Sequence, residues 1–125
     1  MFKMFNIEFY QDHAGNEPIA DYIRDLNTKA LTSKEHRIRH KKIVEYLEVL
    51  SQFGTRAGEP YVKHIVDNIW ELRPLNDRVF FFYWKDEIYL MLHHFIKKTK
   101  KTPAREIEQA KRNLADFLER SADGD

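Results

Sequence analysis

The sequence predicts an α+β fold in which an N-terminal strand and two helices precede an antiparallel β-meander and a C-terminal helix. Aromatic and β-branched residues alternate near the start of the chain, and two amphipathic helical patterns follow. Between residues 69 and 96, three strand-like runs are separated by turns of only a few polar residues. Because a parallel crossover needs about a dozen residues or more, such short turns join antiparallel neighbours.

The first part of the chain supplies one strand and two helices. Residues 1–10 are predicted to form a half-buried strand. Pro18 begins the first helix after a turn whose Asn16 offers an N-cap, and the helical spacing of apolar residues ends near residue 27. Thr32 and Glu35 form a capping-box pair that opens a second helix, which ends at Gly54.

The second part of the chain supplies the meander and the last helix. Residues 61–66 are an edge strand, residues 69–74 and 88–96 are strands, and residues 78–85 are a central strand that is apolar on both faces. Thr102 and Pro103 are predicted to begin the last helix as its N-cap and first residue.

The composition indicates one domain over residues 1–125. A chain of 125 residues can bury one core but not two independent ones. Since the sequence contains no cysteine, disulfides, thiolate metal sites and a cysteine nucleophile are excluded. Glu8 and Asp12 interrupt the start of the chain, which lacks the apolar core of a signal peptide or a membrane span. We therefore expect a cytoplasmic protein with no membrane partner.

Basic residues are concentrated in two stretches, although the net charge is only +1. Residues 88–105 contain five Lys or Arg and no acid, and residues 33–42 contain five more against Glu35 alone. The chain after Arg105 is acidic on balance. A polyanion senses the local potential over about 8–10 Å at physiological salt, so this segregation favours a nucleic-acid partner.

Four motifs resemble one protein family. WELRP, the following DRVFF, LHHFIKKTKKTP and an amphipathic helix containing EIEQAKR are similar to the HigB branch of the RelE/ParE toxin superfamily. The resemblance implies the same fold and a toxin of a type II toxin–antitoxin pair, which is a ribosome-dependent endoribonuclease that cuts mRNA on the 70S ribosome. It also implies a HigA-like helix-turn-helix antitoxin as the partner, in a heterotetramer with the toxin.

The candidate catalytic residues follow from the chemistry of RNA cleavage. Attack of the 2′-hydroxyl on the adjacent phosphate requires a base, cations for the developing charge and an acid for the leaving 5′-oxygen. Side chains can supply the charge, so we expect neither metal nor cofactor. Arg73 and Arg78 flank a tight turn, and a guanidinium fork matches phosphate geometry. The resemblance gives Arg78 the role of the phosphate-stabilising arginine and Lys98 that of the cation near the leaving group.

The identity of the general base is left open. The resemblance places two lysines of RelE-like toxins near Ile69 and Glu71, and neither residue is a lysine. The candidates are Glu71, His64, His93 and His94. Histidine has an unperturbed pKa of about 6.5, whereas Glu71 would need burial to raise its pKa against the nearby arginines. The predicted RNA-binding cations are Lys63, Lys97, Lys100 and Lys101.

Each assignment has a purely structural alternative. The alternative to phosphate binding is a solvated hairpin, on which Arg73 and Arg78 pair with Glu71 and Asp77. The basic run that starts at Lys97 has the alternative of a solvated strand end.

The histidines have structural alternatives as well. His93 and His94 alternate on a strand, so one is expected to face the core and the other to face outward. His36 and His40 have the helical spacing of metal ligands, but no carboxylate partner accompanies them, so no metal site is expected.

Two other functions remain open at this point. A ParE-like toxin would keep the fold and poison DNA gyrase without cleaving RNA; the cations at the end of the meander argue mildly against it. A non-catalytic RNA-binding or antitoxin-partner module would bind RNA in a salt-sensitive way and leave it intact.

Overall fold

The computed structural model describes residues 4–124, so residues 1–3 of the predicted first strand lie outside the described range. The strands in this range are β1 (Asn6–Phe9), β2 (Val62–Val66), β3 (Ile69–Leu72), β4 (Asp77–Tyr83) and β5 (Ile88–Ile96). The α-helices are α1 (Pro18–Lys29), α2 (Lys34–Phe53) and α3 (Ala104–Gly124), and a short 3₁₀ helix (Gly54–Ala57) follows α2. None of these helices has the length and apolar character needed to cross a membrane.

The described strands form a sheet in the order β1-β5-β4-β3-β2. From β2 to β5, each strand pairs antiparallel with the next, which confirms the predicted meander and the α+β fold class. In contrast, β1 pairs parallel with β5, from Asn6 opposite Ile88 to Phe9 opposite Met91. Both helices and the other strands lie between these two partners in the sequence, so no local pattern indicates which strand β1 joins.

Helices cover both faces of the sheet. On one face, Phe81 belongs to a buried cluster with Ile19 of α1 and Leu50 of α2. On the other face, Phe80 belongs to a second cluster with Ala110 of α3. We call these the α1–α2 face and the α3 face. β4 therefore has a hydrophobic core on each side, as its uninterrupted apolar run predicts.

A β-bulge in β5 changes which of its side chains reach each face. Phe80 pairs with His93 but Phe81 pairs with Met91, so Leu92 has no residue opposite it. The extra residue breaks the alternation of side chains. As a result, Leu92 and Phe95 both lie in the cluster on the α3 face, although strict alternation would separate them.

The helix starts differ slightly from the predicted caps. α1 begins at Pro18 as predicted, but Glu17 occupies the N-cap position without a side-chain cap. Ser33 rather than Thr32 caps α2, because its hydroxyl accepts a hydrogen bond from the His36 amide at 3.4 Å. Helix α3 starts one residue later than predicted.

Candidate functional site

A carboxylate and two arginines meet beneath the turn that joins β3 to β4. Glu71 shares the α3 face with Ile69, which lies two positions earlier in β3. Its Oε1 atom is 3.4 Å from Arg73 Nε and 3.8 Å from Arg78 Nε. The Glu71 side chain is only 1% exposed, against 24% for Arg73 and 11% for Arg78. In these three residues, the Glu71 cluster, the arginines do pair with Glu71, but the carboxylate is buried rather than solvated and the arginines are only partly exposed.

The polar atoms of the Glu71 cluster are incompletely hydrogen-bonded. Within residues 4–124, Glu71 Oε2, Arg73 Nε and Arg78 Nε are buried without a hydrogen-bond partner. Leaving a buried polar group unpaired costs about 1–3 kcal/mol. Burial raises the pKa of Glu71, although Arg78, Arg73 and the lysines Lys97 and Lys63 oppose the shift. A buried carboxyl with a free oxygen and a raised pKa is suited to accept a proton.

The Arg78 guanidinium is hydrogen-bonded to the backbone of the turn. Its Nη1 atom donates hydrogen bonds to the carbonyl of Leu75 at 2.6 Å and to that of Asp77 at 2.9 Å. Burial lowers the pKa of Arg78, and the charge of Glu71 opposes that shift. Leu75 itself has a φ of 56°, in the left-handed region that residues other than glycine rarely adopt.

A cationic groove opens beside the Glu71 cluster. We call it the basic groove; it has a volume of about 430 Å³ and is lined by Asn76, Arg78, Lys97, Lys98, Thr99 and Lys100. The strand register brings its two sides together, since Asp77 lies opposite Ile96 and the Lys97 amide donates to the Asn76 carbonyl at 2.8 Å. The antiparallel pairing expected from the short turns therefore places the start of β4 beside the end of β5.

The remaining predicted RNA-binding residues are placed unevenly. Lys63 of β2 is exposed and lies opposite Glu71 in the sheet. Lys101 is exposed but lies outside the lining of the basic groove. His64 pairs in register with Trp70 and packs against its ring at 5.3 Å. As the neighbour of Lys63 in a strand, His64 points to the opposite face of the sheet, so the structure does not bring it to the Glu71 cluster.

The two consecutive histidines of β5 are both held by carboxylates. His93 Nε2 is 2.7 Å from Glu106 Oε1 of α3, and the His93 side chain is 20% exposed. His94 Nε2 is 2.9 Å from Asp77 Oδ1, and its side chain is 13% exposed. The expectation that one of them faces outward is wrong, because helices cover both faces of the sheet. Neither histidine lines the basic groove.

A buried network around Asp77 was not predicted from the sequence. The Asp77 carboxylate accepts hydrogen bonds from the Tyr22 hydroxyl at 2.7 Å and from Arg39 Nη2 at 3.2 Å, and it also contacts His94. Burial acts to raise the pKa of Asp77, but the hydrogen bonds from His94, Arg39 and Tyr22 outweigh it and hold the pKa at about 2. The alternative in which Asp77 pairs with the turn arginines is therefore wrong.

The helical spacing of the sequence indicates that two members of this network face inward. Arg39 lies four residues before Ile43, which is buried in α2, and Tyr22 lies four residues before Leu26, which is buried in α1. Residues with this spacing share one face of a helix. Both polar side chains were thus predictable as inward-facing, whereas their common partner Asp77 was not.

His36 lies in the first turn of α2, beside the residue that caps the helix. His36 Nδ1 lies 2.7 Å from the Ser33 hydroxyl. Among residues 4–124, no group of three or more His, Asp or Glu side chains is arranged to hold a metal ion.

Comparison with known proteins identifies a family. The family model described as "Phage derived protein Gp49-like (DUF891)" matches residues 21–115. The matched region covers most of the chain and includes the Glu71 cluster, the basic groove and the Asp77 network. No curated protein matches the chain.

Proposed function

The chain belongs to the phage-derived Gp49-like family, a toxin-like family of the RelE/ParE kind, and from this premise we propose that it is the toxin of a type II toxin–antitoxin pair and an mRNA endoribonuclease. It corresponds to the HigB branch of the superfamily. It acts on mRNA that occupies the 70S ribosome, and therefore in the cytoplasm.

The observation that carries the proposal is that Arg78 connects the Glu71 cluster to the basic groove. Arg78 belongs to both, because it pairs with Glu71 at 3.8 Å and lines the groove with Lys97 and Lys98. Buried polar atoms without a hydrogen bond and a perturbed carboxyl pKa are both features that functional sites often show. A solvated, purely structural hairpin would have neither.

Glu71 supplies the proton acceptor in this proposal. The 2′-hydroxyl loses its proton to the Glu71 carboxylate as the O2′–P bond forms. The P–O5′ bond breaks, and the leaving 5′-oxygen takes up a proton from water. The products are a 2′,3′-cyclic phosphate and a 5′-hydroxyl. Glu71 is 1% exposed and contacts both arginines. In this proposal the hydroxyl reaches it when Arg78 exchanges its carbonyl partners for the phosphate.

The cations stabilise the charge that develops on the phosphate. Arg78 and Arg73 present guanidinium donors at the Glu71 end of the site, and a planar fork suits two phosphate oxygens at once. Lys98 is exposed on the opposite side of the basic groove, where it can stabilise the leaving 5′-oxygen. Lys97, Lys100 and Lys63 hold the flanking phosphates.

We also propose a protein partner. A HigA-like helix-turn-helix antitoxin, encoded beside this chain, neutralises the toxin in a heterotetramer. The resemblance of the motifs from WELRP to EIEQAKR supports this assignment. A small helix-turn-helix gene in the same operon is the observation that checks it.

The decisive experiment combines growth with mapping of transcript ends. Induction of the wild-type gene should arrest growth and produce new mRNA 5′-ends within translated codons, which should disappear when translation initiation is blocked. The Arg78→Ala and Lys98→Ala variants should permit growth and leave transcripts intact. Lys111→Ala on α3, outside the basic groove, is the matched control and should remain toxic.

Two results would contradict the proposal. Full toxicity of both site variants would remove the basic groove from the mechanism. Growth arrest with intact transcripts and a DNA-damage response would instead identify a gyrase poison.

A further inference from the structure

A second groove lies between the start of α2 and the turn that joins β3 to β4. It has a volume of about 660 Å³, within the range of about 300–1,000 Å³ that is usual for ligand pockets. Its apolar surface comes from Ile38, Leu75 and Ile96, which are 46%, 47% and 42% exposed. Asn76 lines both this apolar groove and the basic groove, so the two adjoin at that residue.

Leu75 is held in the apolar groove by an unfavourable backbone. Its φ of 56° suits glycine or asparagine better than a branched side chain. Burial does not offset this strain, because nearly half of the residue remains exposed. Asp67, Asp86 and Glu87 in the other two hairpin turns also have a positive φ, but they are polar. Leu75 differs from them as an exposed apolar side chain at such a position, which leaves it available to a ligand.

Polar residues line the groove together with the apolar ones. Asn76 and Glu35 carry groups that can form hydrogen bonds, and Lys34 supplies a positive charge. Arg39 also lines the groove, and Asp77 fixes its guanidinium in place. A nucleobase needs these features, because its faces require apolar or guanidinium surfaces and its edges require hydrogen-bonding groups.

We propose that the apolar groove binds a nucleobase of the RNA strand whose scissile phosphate lies in the basic groove. The inference rests on the proposed function, since it uses the basic groove as the phosphate site. Charge complementarity supports an RNA occupant, because Lys34 and the four cations of the basic groove outnumber Glu35, the acid in the lining of the apolar groove. Phosphate contacts position a strand and base contacts give specificity, so the apolar groove sets the sequence preference of cleavage.

The test measures binding of RNA that cannot be cleaved. A short 2′-O-methyl oligoribonucleotide lacks the attacking hydroxyl, so its affinity at low salt is independent of catalysis. We expect Leu75→Gly to weaken binding about tenfold, on the scale of one base stack, while its melting temperature equals or exceeds that of the wild type. Ile38→Ser should act in the same direction. Leu118→Ser, whose leucine is 42% exposed on α3, is the matched control and should bind normally.

An abasic oligonucleotide with the same backbone separates base contacts from phosphate contacts. The wild type should bind the abasic strand about tenfold more weakly than the complete strand, and Leu75→Gly should bind the two equally, because each change removes the same contact. The sequence preference of cleavage should also change in Ile38→Ser.

Three outcomes would overturn the inference. The first is an equal loss of affinity for both strands in Leu75→Gly. The second is that Leu75→Gly keeps its RNA affinity but loses binding to the purified antitoxin. The third is that the wild type binds none of the strands measurably. The second outcome would identify the groove as a protein docking site. Failure of the proposed function is seen separately, as absence of cleavage on programmed ribosomes while the oligonucleotide still binds.

Discussion

Asp77 and Arg78 are consecutive residues of β4 whose side chains serve opposite faces of the sheet. On the α1–α2 face, Asp77 Oδ1 lies 2.9 Å from His94 Nε2. On the α3 face, Arg78 Nε lies 3.8 Å from Glu71 Oε1. The Arg78 guanidinium also donates to the Asp77 carbonyl at 2.9 Å. The buried network of Asp77 thereby fixes the strand end from which Arg78 reaches the basic groove.

Asp77→Asn should destabilise the protein. Folding lowers the pKa of this carboxyl from 3.8 to about 2, and one pKa unit corresponds to about 1.4 kcal/mol. We therefore expect a loss of about 2 kcal/mol in the free energy of unfolding at neutral pH, measured by urea denaturation. Asp25→Asn removes an exposed ion pair with Lys29 and should change stability by less than about 0.5 kcal/mol.

The acid dependence of Asp77→Asn gives a second readout. Because the folded-state pKa is the lower one, the stabilisation by Asp77 is present above pH 3.8 and is lost as the pH falls through about 2. The wild type should therefore lose more stability than the variant across this window. Parallel acid profiles for the two proteins would contradict the assigned network.

Glu71→Gln should separate activity from stability. Burial raises the pKa of Glu71, so its contribution to stability is fully present below the unfolded pKa and is lost as the pH rises through the folded pKa. A neutral glutamine should therefore not lower the free energy of unfolding at neutral pH. Cleavage of mRNA on programmed ribosomes should fall by about 100- to 10,000-fold, because the proton acceptor is gone.

A cleavage rate near that of the wild type would show that Glu71 is not the base. Loss of both cleavage and folding would show instead that Glu71 mainly holds Arg73 and Arg78 in place. Glu59→Gln is the control, because Glu59 contacts Arg73 at 3.3 Å but its side chain is 67% exposed.

Arg78→Lys should not restore the function that Arg78→Ala removes. Lysine keeps the charge but cannot donate to two phosphate oxygens through a planar fork. We expect a loss of cleavage of about 100-fold or more in the alanine variant, with only partial recovery in the lysine variant, in single-turnover assays. Arg105→Ala, whose arginine is 81% exposed, provides the control. Equal rates for lysine and arginine at position 78 would reduce its role to a point charge.

Lys98→Ala should change the salt dependence of RNA binding. Each phosphate contact contributes a slope of about 0.7 in a plot of log affinity against log salt for single strands. We expect the slope for an uncleavable oligoribonucleotide to decrease by about that amount in Lys98→Ala. It should stay constant in Lys111→Ala, whose lysine lies on α3. An unchanged slope would place Lys98 off the path of the strand.

The order of elements was predictable because local periodicity and short turns determine it. β5 was placed at its observed bounds, and β4 was recognised as central from its apolar residues on both faces. The bulge at Leu92 and the parallel pairing of β1 were not predictable, since both depend on how distant strands align.

The candidate site was predictable in outline only. Arg73 and Arg78 flank a tight turn, which indicated that they lie close together. Antiparallel pairing of β4 with β5 brings the basic run that starts at Lys97 beside them. The sequence could not decide whether burial or the arginines control the pKa of Glu71, because that balance depends on tertiary packing. The partners of Asp77 were not predictable for the same reason, because they come from three other elements.

The parallel pairing of β1 with β5 also limits when this protein can complete its fold. Asn6 can pair with Ile88 only after the whole of the intervening chain has been synthesised. Contacts between such distant residues form late and slow folding. A nascent chain on its own ribosome therefore has an unfinished sheet edge until β5 has emerged, and we expect the final structure to form after synthesis of α3 rather than during it.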